Sequence, residues 1–341
     1  MKAYLLDLSL DQLQDWLTYR ELPAYRAEQI IQWVYHHRAE SWQAMTNLPS
    51  QLRDQLADSF ELYQADLHKV SLSEDGTQKL LLRWPDQSLT ETVRICDGKR
   101  QTVCISSQVG CAVGCTFCAS GMEGLERSLT AGQIIEQALW VQRQLTPEGR
   151  ISNIVMMGMG EPLANYRHVL NAVKTFNAVW GLNIGARHIT ISTIGLPEKI
   201  RKLAHEPFQF TLAVSLHAGD EKLRQELIPW AKRIPTKELF DAIDYFYRQT
   251  HREVTLEYVL LDGVNASRAD ADQLAYWSRQ SRCNVNLINY NEVAELPYQR
   301  VPAQAAGAFL QWLKAAGVNA HLRPSRGREI DAACGQLRRR V

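Results

Sequence analysis

The sequence has no stretch that could cross a bilayer: no apolar run approaches the roughly 20 residues such a helix needs. It does not open like a secretory signal, because Asp7 and Asp11 interrupt MKAYLLDLSLDQLQDW too early for an apolar signal region. Net charge is only +1, so the overall balance gives no indication of a nucleic-acid partner, and only the distribution of charge is informative. There is no internal repeat and no low-complexity segment. The seven cysteines are an odd number with no signal peptide before them, which is not a disulfide framework. These absences leave a soluble, cytoplasmic protein as the expectation. With 341 residues, 45% of them apolar, the chain can bury a sizeable core, and one large domain with a small appendage is the default.

The apolar pattern changes twice along the chain. From about Leu8 to Phe60 it has helical spacing: Leu10, Leu13, Trp16 and Leu17, then Ile30, Ile31 and Val34, then Leu52 and Leu56. A small helical N-terminal domain is expected there. Between Tyr63 and Ser107 the runs LLLRW, ETVRI and TVCISS are short and β-like, separated by the turn-rich pieces EDGTQ, PDQS and CDGKR. Beyond Cys118, strand-like and helix-like segments alternate: NIVMMGM, HITISTI, FTLAVSL, VTLEYVLL, NVNLINY and finally AHLRP, with helical patterns between them. Apolar strands alternating with helices imply parallel βα units. About six such units after TVCISS predict a partial or full βα barrel, with the chemistry at the C-terminal ends of the strands.

Three of the cysteines fall within eight residues, Cys111-Ala-Val-Gly-Cys115-Thr-Phe-Cys118. Thiolates are the usual ligands of iron–sulfur clusters, and a four-iron cube needs four of them. Three would leave one iron open to chelate a cofactor and pass it an electron. The competing reading is a structural zinc site, which needs a fourth Cys or His, and Cys104 is the nearest candidate. The segment Met157-Gly158-Met159-Gly160-Glu161-Pro162 closes the next strand. Its glycines would let backbone approach a ligand closely, and Glu161 could accept a hydrogen bond from an ammonium group. At the C-terminus, Arg323, Arg326, Arg328, Arg338, Arg339 and Arg340 stand against only Glu329 and Asp331, either a phosphate-contacting element or a solvated tail.

Taken in order, CISSQVGCAVGCTFCASG, SLTAGQI, NIVMMGMGEPLANY, ITISTIGLP, VSLHAGDEKLR, EYVLLDGVN and SRGREIDAACGQL resemble the RlmN/Cfr family of radical S-adenosylmethionine (SAM) ribosomal RNA methyltransferases. The resemblance covers nearly the whole chain. Its most specific part is the pairing of Cys104 with Cys334 in IDAACGQL. It implies a radical-SAM partial (β/α) barrel, with a small helical N-terminal domain and a C-terminal tail folding over the active site. It implies one 4Fe-4S cluster on Cys111, Cys115 and Cys118, and two SAM molecules per turnover. It implies that Cys334 carries the methyl group and that Cys104 releases the product through a transient disulfide, with Glu91 as proton acceptor. Read alone, Glu91 would be a surface strand glutamate. Gly160, Glu161, Ser192, Ser215, Leu216, His217 and Asn291 fall where the family contacts SAM.

The partners implied are large-subunit ribosomal RNA before full assembly, with transfer RNA as a second candidate, and an electron donor such as flavodoxin or ferredoxin; a monomer is expected. The domain expectation is 1–62 helical and RNA-binding, 63–103 a β-rich linker and barrel entry, 104–325 the barrel, and 326–341 the tail. His36, His37 and Arg38 end a helix of the first domain and, with an RNA substrate, become candidates for phosphate contact. Cys96 and Cys283 match no family role and read as small buried hydrophobes.

The chain departs from the family pattern in three places: Ile228-Pro229-Trp230-Ala231 lacks the usual asparagine after the proline, Ile288-Asn289-Tyr290-Asn291-Glu292-Val293-Ala294-Glu295 replaces a proline-rich loop, and GMEGLERSLT follows the cluster motif in an altered form. These leave carbon 2 against carbon 8 of adenine, and the exact RNA, open. The rival readings are a radical-SAM enzyme acting on a different acceptor or RNA, and a non-catalytic RNA-binding protein on the same scaffold.

Overall fold

The computed structural model describes residues 2–338. Arg339, Arg340 and Val341 of the basic tail lie outside the described residues. At the N-terminus, helices α1 (Leu10–Tyr19), α2 (Arg26–Tyr35) and α3 (Ser50–Ser59) bury the residues with helical spacing: Leu13, Leu17, Ile30, Ile31, Val34, Leu52 and Leu56. Ser9 starts α1 with a reciprocal capping box to Gln12. A two-residue parallel pairing of Ala3–Tyr4 with Phe60–Glu61 closes this layer.

One ten-stranded sheet forms the rest of the frame. Strands β1 (Asp66–Leu72), β2 (Gln78–Arg83), β3 (Leu89–Asp97) and β4 (Arg100–Cys104) pair antiparallel in chain order. From β4 the sheet continues parallel through β5 (Asn153–Met156), β6 (Ile189–Thr193), β7 (Thr211–Ser215), β8 (Thr255–Leu260), β9 (Asn284–Asn289) and β10 (Ala320–Arg323). Each parallel strand lies beside the next in sequence, and β10 and β1 are the two free edges, so the barrel is open. The crossovers are α4 (Ala131–Arg143), α5 (Tyr166–Asn177), α6 (Pro197–Leu203), α7 (Glu221–Leu227), α8 (Thr236–Thr250), α9 (Arg268–Gln280) and α10 (Ala303–Ala315). The strand-by-strand alternation matches the sequence reading, apart from α4 and the exposed edge strand β1, which it does not mark. Among the described residues, no helix is long and apolar enough to cross a membrane.

The N-terminal layer docks on α4. Glu136 on that helix accepts from the backbone N–H groups of Gln64 (2.9 Å) and Ala65 (3.0 Å) and from the Tyr4 hydroxyl. Asp7 accepts from the Gly132 N–H at 2.7 Å. The approach is so close that a Cβ on Gly132 would lie 2.4 Å from the Tyr4 ring. Arg38 belongs to this joint too. Its guanidinium donates to the carbonyls of Leu145 (2.9 Å) and Thr146 (3.0 Å), and to that of Gly149, so it is committed to the fold and the expectation of a phosphate contact there is corrected.

Candidate active site

The loop that follows β4 is shaped by backbone contacts. Gln108–Gly110 pairs with Leu125–Ser128, and the Cys111 N–H donates to the Gly124 carbonyl at 2.9 Å. Gly110 has φ +74°, and a Cβ there would fall 2.0 Å from the Gly124 oxygen, so only glycine fits. Inside this loop Cys111, Cys115 and Cys118 are partly buried free thiols that line one cavity at the C-terminal ends of the parallel strands. Burial pushes Cys111 up to about 12, and raises Cys115 and Cys118 as well; neighbouring thiols add to this at Cys111 and Cys115. A protein-only site therefore favours neutral thiols, and a metal centre would reverse that preference by stabilising the thiolates.

Across the cavity, Gly158, Gly160 and Glu161 follow β5. Gly160 has φ +100° and lies against Gln108, whose Cβ would be 2.6 Å from a Cβ at Gly160. Glu161 is buried. Its Oε1 accepts from the Leu163 N–H at 2.9 Å and its Oε2 from the Ile194 N–H at 2.8 Å, yet burial still raises it to about 7. Ser192 and Ser215 line the same cavity from the ends of β6 and β7. His217 does so just beyond, at φ +58°. The Val259 N–H donates to His217 Nδ1 at 3.1 Å, which places the ring proton on Nε2. Burial lowers this imidazole to about 3, so it is neutral.

The Leu216 side chain is fully buried in the core, so only its backbone could face the cavity. Asn291 is displaced from the main cavity to a second, adjoining one, where its Nδ2 donates to the Cys334 carbonyl at 3.2 Å.

The tail folds back over this end of the barrel. Gly327 (φ +66°) and Gly335 (φ +86°) bound the returning segment. Its backbone is held from several elements: the Gly327 N–H donates to Asp75 (3.0 Å), the Asp331 carbonyl accepts from Lys79 (3.1 Å), the Gly335 carbonyl from the Ala119 N–H (2.8 Å), and the Leu337 carbonyl from Ser120 (2.7 Å). Glu329 is bonded to Ser73, and Arg338 is paired with Glu295. Cys334 thereby lines both the main cavity and the second one, and Cys104 lines the second.

Glu91 does not reach either cavity. It is buried on β3, ion-paired to Lys79 at 2.9 Å and accepting from the Arg338 N–H, so its reading as a surface residue is corrected. Three arginines of the tail region are engaged internally: Arg323 beside Glu257 (4.0 Å), Arg326 with Asp97 (3.5 Å), and Arg338 with Glu295. Cys283 is buried as expected, whereas Cys96 is only half-buried and donates to Gln101 at 3.1 Å.

The sequence reading missed Glu257, on β8. It lines the main cavity, and its Oε1 accepts from Asn286 at 3.0 Å while its Oε2 is buried without a hydrogen bond among the described residues. The signal was available: VTLEYVLL carries one acidic residue inside an otherwise apolar buried strand, where a charge needs a reason.

The donor set fits an iron–sulfur cluster: the three loop thiols share one cavity with a glycine cradle and a buried carboxylate, and Cys104 lines the neighbouring cavity.

Comparison with known proteins agrees with this layout. Residues 3–62 match the ribosomal RNA large subunit methyltransferase N-terminal domain, and residues 105–275 match the Radical SAM superfamily. The chain is 47% identical to a probable dual-specificity RNA methyltransferase RlmN of Rhodopirellula baltica, over 99% of this chain and 91% of that one. It is 44% identical to the protein so described from Geobacillus kaustophilus, over 97% and 91%. The crystal structure of a radical SAM methyltransferase from Sphaerobacter thermophilus superposes with a TM-score of 0.96 at 46% identity, covering 99% of this chain and all of that one.

Proposed function

We infer, for a chain that belongs to the RlmN family of radical SAM RNA methyltransferases, where the methyl group goes and which residues carry it. The target is carbon 2 of an adenosine in 23S ribosomal RNA, with transfer RNA as a second substrate. Carbon 8 is the alternative that the altered loop after Ile288 keeps in play. The helical layer of residues 1–62 is assigned to RNA binding.

Cys111, Cys115 and Cys118 would hold the 4Fe-4S cluster, with Gly160, Glu161, Ser192, Ser215 and His217 around SAM; when bound, these groups supply one-electron, hydrogen-abstracting chemistry. The chain's own residues supply the rest. Ring carbons 2 and 8 are poorly nucleophilic, so a direct displacement on them would be slow. Cys334 solves this by carrying the methyl group as a thioether until it is joined to the base. Glu161 would accept a hydrogen bond from the ammonium group of SAM. The neutral His217 adds an N–H donor and no charge. Cys104 then attacks the Cys334 sulfur, and the exchange frees the product. Glu91, with Lys79 on one oxygen and the Arg338 N–H on the other, serves to hold the tail in place.

One observation carries this reading: the returning tail puts Cys334 in the wall of the thiol-lined cavity and, with Cys104, in the wall of the next. The test is a pair of substitutions with opposite outcomes. Cys334→Ala should acquire no methyl group and leave RNA untouched. Cys104→Ala should still be methylated on Cys334 and should stall as a covalent protein–RNA adduct, stable on a denaturing gel and removed by nuclease. Normal turnover by Cys104→Ala would overturn the carrier mechanism.

A further inference from the structure

We propose that Arg323, in the wall of the cavity that both sulfurs share, is the cation that assists Cys104 in its attack on the Cys334 sulfur. The inference rests on the carrier reading above and adds a residue to it.

The chemistry sets the need. The attacker in a thiol exchange is the thiolate. As Cys104 attacks, the S–S bond forms while the bond from the Cys334 sulfur to the base-borne methylene breaks. The electron pair of that bond goes to the carbon, which takes a proton from water and becomes the methyl group. Both sulfurs end oxidised as a disulfide, which a dithiol reductant returns to two thiols before the next cycle.

Cys104 is poorly placed to be a thiolate. It is buried at the end of β4 among Val93, Met159, Ala332 and Leu337. That apolar surrounding pushes its thiol up to about 12, and Cys334 opposite adds to the effect. Two groups act the other way: the Met157 N–H and the Arg323 guanidinium.

Arg323 ends β10, the last strand, and lines the second cavity with both sulfurs. The other cation of that cavity, Arg326, is paired with Asp97 at 3.5 Å. The carboxylate beside Arg323 is that of Glu257, whose Oε2 is 4.0 Å away and beyond hydrogen-bond distance. Cys334 faces the same two groups, Arg323 and Glu257, and also Cys118.

The test measures Cys104 directly. In the full-length, cluster-reconstituted enzyme, the pH dependence of Cys104 alkylation by iodoacetamide is followed by peptide mass spectrometry. Arg323→Met should move the midpoint up by about one pH unit and Arg323→Lys by less, as expected for loss of a neighbouring cation. Glu257→Gln should move it down, since the carboxylate that offsets Arg323 is gone.

Adduct resolution with RNA should follow. A one-unit rise lowers the thiolate fraction about tenfold but raises its intrinsic reactivity about threefold, because the Brønsted slope is near 0.5. Arg323→Met should therefore resolve about threefold more slowly across the working pH range, all of which lies below the midpoint. An unchanged Cys104 midpoint in both Arg323→Met and Glu257→Gln overturns the proposal. Loss of RNA affinity with an unmoved midpoint would instead make Arg323 a phosphate contact. Cys104→Ala is the control: if it forms no adduct, the carrier reading fails first.

Discussion

Two segments carry cysteines to the mouth of the barrel, and they are held there in different ways. The loop from Gln108 to Ser128 is largely self-supporting: its own strands pair, its own glycines touch, and Cys111 bonds to Gly124. The tail from Gly327 to Arg338 has short turns of its own, with the Ala332 N–H on the Gly327 carbonyl and the Gln336 N–H on that of Ala333, but its place is set from outside. It is held by Asp75, Ser73, Lys79 and Glu91 of the antiparallel strands and their turns, by Ser120 of the cluster loop, and by Asn291 after β9. The first arrangement makes a rigid platform for three thiols from a short piece of sequence. The second makes the position of one sulfur depend on contacts some 250 residues away. The antiparallel half of the sheet, expected as a linker and barrel entry, is thus the anchor of the reactive tail.

The strongest way to break this contrast is to damage the self-supporting loop. Gly110→Ala would place a methyl group into the Gly124 carbonyl, at a backbone angle that favours glycine. The reconstituted protein should lose its roughly four irons per chain, whereas the tail amides should keep their hydrogen-exchange protection. Iron retained at the parental level would show that the loop does not depend on that contact.

A weaker blow falls on the tail. Glu91→Gln removes one partner of a buried ion pair, a change that typically costs about 3–5 kcal/mol because the other charge stays behind. Tail proteolysis should rise steeply and Cys334 methylation should fall, while iron content is unchanged. Lys79→Met in the same background should recover part of the loss, since it removes the stranded charge. If Glu91→Gln instead leaves the tail protected and only RNA methylation falls, Glu91 is a proton acceptor after all.

The smallest effect sharpens the comparison through pH. Burial works to raise Asp75, but the hydrogen bonds from Thr77, Gly327 and Ser73 hold its carboxyl down at about 2. A carboxyl lowered in the fold stabilises above its unfolded value and stops doing so as pH falls through the folded one. Between about pH 4 and pH 2, therefore, the exchange protection of the Gly327 amide should drop before that of the Cys111 amide, which bonds to a carbonyl. Simultaneous loss of both would mean that tail and loop open as one unit.

The same contrast explains what could be read in advance. The alternating strands, the helical first domain and the C-x3-C-x2-C spacing are local patterns, and the structure has them where the pattern places them. The resemblance supplied Cys104 and Cys334, which no spacing connects. What escaped was non-local. Nothing near Lys79 or Asp75 in sequence signals a tail that arrives 250 residues later. Glu257 was visible as a misplaced charge, but not its neighbour Arg323. Leu216 was carried along with Ser215 and His217 as part of one run, although strand alternation sends its side chain to the opposite face. Arg38 looked like a surface cation because the carbonyls it clamps belong to the turn after α4.

Cys334 stands in a wall shared by two chambers, one holding the cluster thiols and the other Cys104. For its sulfur to face first one and then the other, the backbone does not have to travel. A turn about a single side-chain bond suffices, and such turns take picoseconds to nanoseconds in unhindered side chains. On the proposed carrier reading, the anchored tail can therefore stay anchored through the cycle, with Cys334 acting as a pivot and not as a swinging arm.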